Sequence, residues 1–177
     1  MSRFAPSLPD SPGLDRRHGC RRRAVLATVT LMAGLAPTGV PAAPSRGRRR
    51  QPLAIVTRAG DVRRFAVELA RTPRQLSRGL MFRDAMAPGH GMLFDFGRER
   101  PVAMWMRNTP IPLDMLFIDA LGRIRGIAAD AVPFSEAVIL SPGPVRAVLE
   151  LNAGTVRRLG IATGDRVLHG IFGSATR

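Results

Sequence analysis

The sequence predicts a mainly β (α+β) fold, a compact β-sandwich or barrel of about eight short strands with two short helices. Three observations carry that expectation. Short apolar, β-branched runs recur from Leu53 to Phe172, and each is bounded by Gly, Pro, Asp or Ser turn residues. Only two stretches carry the chemistry that starts and stops a helix. No internal repeat is visible, so a solenoid or propeller is not indicated.

Taken in order, Leu53–Thr57 and the alternating Val62–Leu69 flank the turn Ala59-Gly60-Asp61 and read as an opening hairpin. Thr72-Pro73-Arg74-Gln75 combines an N-cap Thr, a Pro at the first helical position and a Gln three residues after the cap, which predicts a helix of about two turns weakened at Gly79. Phe82–Gly91 reads as a loop and Met92–Phe96 as a strand. The spacing then predicts strands at Val102–Met106 and Leu113–Ile118 around an Arg-Asn-Thr elbow between two prolines, followed by strands at Arg123–Ala128, Val138–Leu140 and Val145–Leu151. Asn152 is placed to cap a second helix that runs through Arg158 and stops at Gly160, and Arg166–Phe172 is the last strand.

The N-terminal residues are expected to lie outside this domain. A basic block at residues 16–23, an apolar run at Ala24–Ala36 and small residues at Val40, Ala42 and Ala43 follow the order of a secretory signal, with cleavage expected after Ala42 or Ala43. Arg22-Arg23 before Ala24-Val25-Leu26 is similar to a twin-arginine signal, and the Sec route is the alternative. The expected division is a signal peptide over 1–42, a basic flexible linker over 43–52 and a single domain over 53–175. The lone Cys20 precedes the apolar run, so removal of the signal would leave no thiol and no disulfide. Of the formal net charge of +14, the six Arg and two Asp of residues 1–43 and the four Arg of 46–50 account for +8, which leaves +6 for residues 51–177. A basic surface on an exported protein favours anionic lipids or acidic glycans, or is simply a solvated face; nucleic acid is not an expected partner there.

Four motifs occur in series: ELARTPRQLSRGLMFRD at 68–84, GMLFDF at 91–96, MWMRNTPIPLDMLFID at 104–119 and VLELNAGTVRRLGIATGDRV at 148–167. Together they closely resemble the domain of unknown function 192 family, over nearly all of residues 65–169. The matching positions include Gly79, Leu80, Met81, Arg83, Gly91, Met92, Phe94, Trp105, Met106, Asn108, Thr109, Pro112, Leu113, Asp114, Glu150, Leu151 and Gly154. Met104 departs from a common aromatic and Arg107 from a common Lys. The resemblance implies a compact, mostly β domain and no established activity.

Candidate functional residues gather at the elbow. Trp105 offers a stacking face, and Arg83, Arg107, Asn108, Thr109 and Asp114 can supply polar contacts to an anionic or glycan ligand. The competing view has Asn108 and Asp114 satisfying backbone groups in a Pro-bounded turn, with the arginines paired to carboxylates. A hydrolase would use Asp114 with Glu150 or Glu68, at a carboxyl separation of roughly 5–9 Å. Serine chemistry lacks a G-x-S-x-G sequence. Six methionines between Met81 and Met115, with His90 among them, offer a soft Cu(I) set in which His90, Met92 and Met106 are the nearest candidates, against the simpler role of core filling. His90 and His169 lack zinc-ligand spacing. The combined expectation is a periplasmic or extracellular monomer that binds or assists an envelope component rather than an enzyme. It carries no cofactor and no transmembrane span after signal cleavage.

Overall fold

The structure, a computed structural model, describes residues 49–174. The expected signal and its cleavage site lie outside the described residues. Nine strands and two short α-helices form the described domain: β1 Arg50–Val56, β2 Val62–Ala70, α1 Pro73–Arg78, β3 His90–Arg100, β4 Ala103–Met104, β5 Leu113–Ile118, β6 Ile124–Ala131, β7 Ile139–Leu140, β8 Val145–Asn152, α2 Thr155–Leu159 and β9 Arg166–Leu168, with a 3-10 turn at Gly170–Phe172. Seven strands make one sheet in the order β6-β5-β8-β3-β2-β1-β9, and β4 and β7 pair separately. The fold is mainly β, as the short bounded runs predict.

The large sheet curls until its edges meet. Ile124 N–H donates to the Asp165 carbonyl at 2.9 Å, Gly164 N–H to Ile124 at 2.8 Å and Val167 N–H to Gly122 at 2.7 Å, joining the start of β6 to the approach to β9. Closure leaves no long unpaired edge there. The seam needs Gly122: its φ is +81°, and a Cβ would stand 2.5 Å from the Val167 carbonyl oxygen.

Side chains alternate between the two faces of each strand, and here both faces are apolar. Inside the curl, Leu53, Phe65, Val67, Leu93, Leu116, Leu149 and Val167 form one core. On the outer face of the same strands, Met92, Phe94, Met115, Phe117 and Val148 form a second, which packs with Leu80, Val102, Met106 and Ile111 from the connecting segments. Those connections form a layer stitched by backbone bonds: Phe82 N–H to Asn108, Met106 N–H to Ser135, Phe134 N–H to Thr109 and Ser141 N–H to Val102.

Several expected boundaries move. β1 begins at Arg50, three residues inside the expected linker, because Arg50 and Gln51 pair with Glu68 and Val67 of β2. β3 starts at His90 through its parallel pairing with Ala66 of β2. The expected strand Val102–Met106 shrinks to Ala103–Met104, because only those residues find a partner, in β7. The last strand ends at Leu168, where the 3-10 turn takes over.

Asn152 does not cap α2. The N-cap is Gly154, with no side-chain cap bond, while Asn152 Nδ2 donates to the Met86 carbonyl at 2.8 Å. The cap comes instead from Asp114 on β5, whose Oδ2 accepts from Val156 N–H at 2.9 Å and whose Oδ1 accepts from Asp130 N–H at 3.0 Å. Asp114 is 0% exposed, so removing it leaves the buried Val156 N–H without its acceptor and deprives the part-buried Asp130 N–H of its own. Asp114→Ala should lower unfolding stability by about 2–4 kcal/mol in urea titrations, and a loss comparable to that of a surface substitution would refute this structural role.

Candidate functional site

The site is built on the outer face of β8. This strand lies between β3 and β5, and Glu150 pairs in register with Met92 on one side and Met115 on the other. Both neighbours belong to the outer core, so the carboxyl group is flanked by methionine side chains. Across Met92, Glu68 of β2 stands in the same row. The walls come from elsewhere. α1 is held by the capping box expected from its sequence: Thr72 Oγ1 accepts from Gln75 N–H and Gln75 Oε1 accepts from Thr72 N–H at 3.1 Å. Gly79 ends the helix with φ +47° and lies against Phe94, where an added Cβ would come within 3.0 Å of the ring.

Together these elements enclose a cavity of about 220 Å³. Leu76, Leu80, Met81, Phe94, Phe96 and Met104 give it apolar walls, and exposed Arg78, Arg100 and Trp105 stand at its outer margin. Glu150 and Thr109 are its buried polar residues. Thr109 Oγ1 donates to the Arg107 carbonyl at 3.2 Å. Glu150 is 4% exposed, and its Oε2 has no hydrogen-bond partner among the described residues. Burial without a compensating cation pushes its carboxyl up to about 8. At neutral pH it is therefore a neutral acid, a hydrogen-bond donor as well as an acceptor.

Glu68 is treated differently by the same face. Arg83 grips it with two parallel bonds of 2.7 and 2.6 Å, and this pairing raises the Arg83 pKa. Arg83 is thus committed to a carboxylate and does not line the cavity. Arg107 is exposed, 3.7 Å from Glu136. Asn108 holds a left-handed backbone at φ +54° and accepts from Phe82 N–H through its carbonyl. Of the elbow candidates, Trp105 and Thr109 reach the cavity, whereas Arg107, Asn108 and Asp114 do not.

The expected carboxyl pair separates. Asp114 pairs in register with Leu151 and Met115 with Glu150, so Asp114 and Glu150 project from opposite faces of the sheet. Asp114 with Glu150 therefore cannot act as paired acid and base in one cleft. Met92 and Met106 are buried in the outer core, and His90 begins β3 opposite Ala66. Among the described residues no three His, Cys, Asp or Glu converge as a metal site. Sequence reasoning missed Arg78, Arg100 and the α1 wall, which only the tertiary packing of α1 brings to β3. Glu150 carried a readable signal, a lone carboxyl within the apolar run Val145–Leu151.

The proton on Glu150 has a consequence for stability. The folded-state value of about 8 lies above the ordinary 4.5, so the unfolded chain releases this proton first as pH rises. Its contribution is full below pH 4.5 and falls away between pH 4.5 and about 8. Chemical denaturation across that window should show the wild type losing on the order of a few kcal/mol more than Glu150→Gln. Parallel profiles for the two proteins would refute a neutral Glu150.

The model of the domain of unknown function 192 family, described as uncharacterized ACR, matches residues 54–169. Among solved structures, one from Sinorhizobium meliloti 1021, described as a candidate transcription regulator, is 55% identical with a TM-score of 0.68, covering 69% of this chain and 95% of that one. Another, a protein of unknown function from Novosphingobium aromaticivorans DSM 12444, is 40% identical with a TM-score of 0.67, covering 72% and 90%. No curated protein matches. A family model that spans nearly the whole described fold, and relatives covered almost end to end, establish that the chain belongs to the domain of unknown function 192 family.

Proposed function

We propose that the protein is an exported binding module of the cell envelope whose outer-face cavity takes a small anionic or glycan group. The observation that carries this reading is Glu150 Oε2, a buried polar atom left without a partner beside a cavity of about 220 Å³. An unsatisfied buried polar group costs stability, and a ligand hydroxyl or carbonyl would satisfy it. Arg78 and Arg100 supply positive charge at the margin, Trp105 supplies a flat face for a sugar ring, and the apolar walls can pack against the carbons of that ring. The secretory order of residues 16–43 supports export.

Binding is favoured over hydrolysis by the composition of the cavity. Glu150 is its one carboxyl group among the lining residues, and the two-carboxylate mechanism needs a second in the same cleft. A neutral acid instead donates a hydrogen bond to an uncharged oxygen without repelling a nearby anion.

Trp105 is the single tryptophan, so its emission reports directly on the cavity margin. Titration with glucuronate, which joins a carboxylate to ring hydroxyls, should give a saturable change. Glu150→Leu should weaken that binding by roughly tenfold, Glu150→Gln should largely restore it, and the wild type should lose affinity above pH about 8 as Glu150 ionises. A flat titration with glucuronate and with N-acetylglucosamine alike would overturn the reading.

A further inference from the structure

We propose that the loop layer over the outer core is a peripheral docking face for membranes rich in anionic phospholipid. The inference goes beyond the cavity and does not rest on its ligand.

The first observation is where the exposed apolar residues lie. Among the described residues eight large hydrophobic side chains are exposed. Six of them, Phe82, Trp105, Val132, Phe134, Val138 and Leu140, belong to this one layer. The backbone bonds Phe82 N–H to Asn108, Phe134 N–H to Thr109 and Met106 N–H to Ser135, with the pairing of Ala103 to Leu140, bring the three segments that carry them side by side. Scattered single apolar residues need no explanation, but such concentration on one face does.

The second observation is backbone strain. Phe82 has φ +63° and Phe134 φ +59°, in the left-handed region where a bulky side chain is a true outlier. Gly or Asn would sit there at lower cost. These two phenylalanines are nevertheless 66% and 62% exposed, so little burial offsets the strain in the free protein. A stability requirement would not select an exposed aromatic ring at a left-handed turn. Insertion into an apolar medium would reward it.

Charge identifies the medium. Arg78 stands over the Phe82 ring at 6.0 Å and Arg100 over the Phe96 ring at 4.8 Å, and neither has a carboxylate partner among the described residues. Of the exposed acids of this layer, Glu136 is opposed by Arg107 and Asp84, two residues from Phe82, is outnumbered by Arg78 and Arg100. Aromatic and aliphatic tips flanked by arginines match an interface of acyl chains beneath anionic headgroups. Side chains on three separate turns need no complementary pocket in a fluid bilayer, whereas a protein partner would have to supply one for each. No helix of the described residues is long and apolar enough to cross a membrane, so this contact is peripheral.

The full-length chain can be tested with vesicles of phosphatidylglycerol and phosphatidylethanolamine, against pure phosphatidylcholine. The basic residues before β1 will attract anionic vesicles themselves, so sedimentation alone is not the readout. Trp105 lies within the face. Its emission should shift to the blue on anionic vesicles and be quenched by lipids brominated on their acyl chains. The double variant Phe82→Asn, Phe134→Asn should weaken partitioning by roughly tenfold or more, keep or raise the melting temperature, and leave glucuronate titration unchanged. If that variant fails to fold, Arg78→Gln with Arg100→Gln should weaken partitioning to anionic vesicles, and unchanged partitioning would overturn the proposal. Three other results would overturn it. One is Trp105 emission that stays fixed while the protein pellets. Another is equal binding to phosphatidylcholine. The last is an emission shift that appears without vesicles as the chain dimerises, which would assign the face to a second copy.

Discussion

The structure depends on one constraint: its central strands are apolar on both sides. β3, β5 and β8 present Leu93, Leu116 and Leu149 to one face and Met92, Met115 and Val148 to the other, so neither face can be left to water. Curling the sheet onto itself covers the first. The second has to be covered by the connections, which is why α1, the elbow and the segment before β7 lie flat on the sheet. A cavity arises where that cover is incomplete, above Glu150.

Asp114 and Glu150 show how strongly the face decides chemistry. They lie on neighbouring strands, one register step apart. Asp114 turns inward and meets two backbone N–H groups supplied by β6 and α2. Glu150 turns outward among thioethers and aromatic rings and meets none for Oε2. Glu68, two strands away in the same row, escapes that fate because Arg83 descends onto it from the connection. Three buried carboxyl groups thus have three different local solvents, and only the one without a protein partner opens onto empty space.

What could be read from the sequence was local. The Thr72–Gln75 capping box is complete within four residues and appears as read, and the hairpin of β1 and β2 forms around its Gly60 turn with β1 starting three residues early. The failures are tertiary. Val102–Met106 alternates like a strand, yet a strand exists only where a partner lies, and β7 offers two residues. Asn152 has the chemistry of a cap, but Asp114, distant in sequence, takes the Val156 amide of α2. Of the residues the elbow singled out, Trp105 and Thr109 line the cavity. The elbow drew equal attention to Arg107 and Asn108, whose distance from the cavity no spacing could reveal, and it offered no sign that the C-terminal half of α1 would form the opposite wall.

The seam at Gly122 also sets the order in which the molecule can come into being. Among the described strands β9 is the last to be synthesised, and it is the outer neighbour of β1, the first. Until Asp165–Leu168 emerge, β1 has an open edge and the inner core has an open side. Sealing the sheet waits for the contacts of β9 with β1 and with Arg123, which are distant in sequence, so closure is a non-local event. The domain is therefore held open through synthesis by its own topology, and a C-terminal truncation before Arg166 would leave an unsealed sheet rather than a shorter barrel.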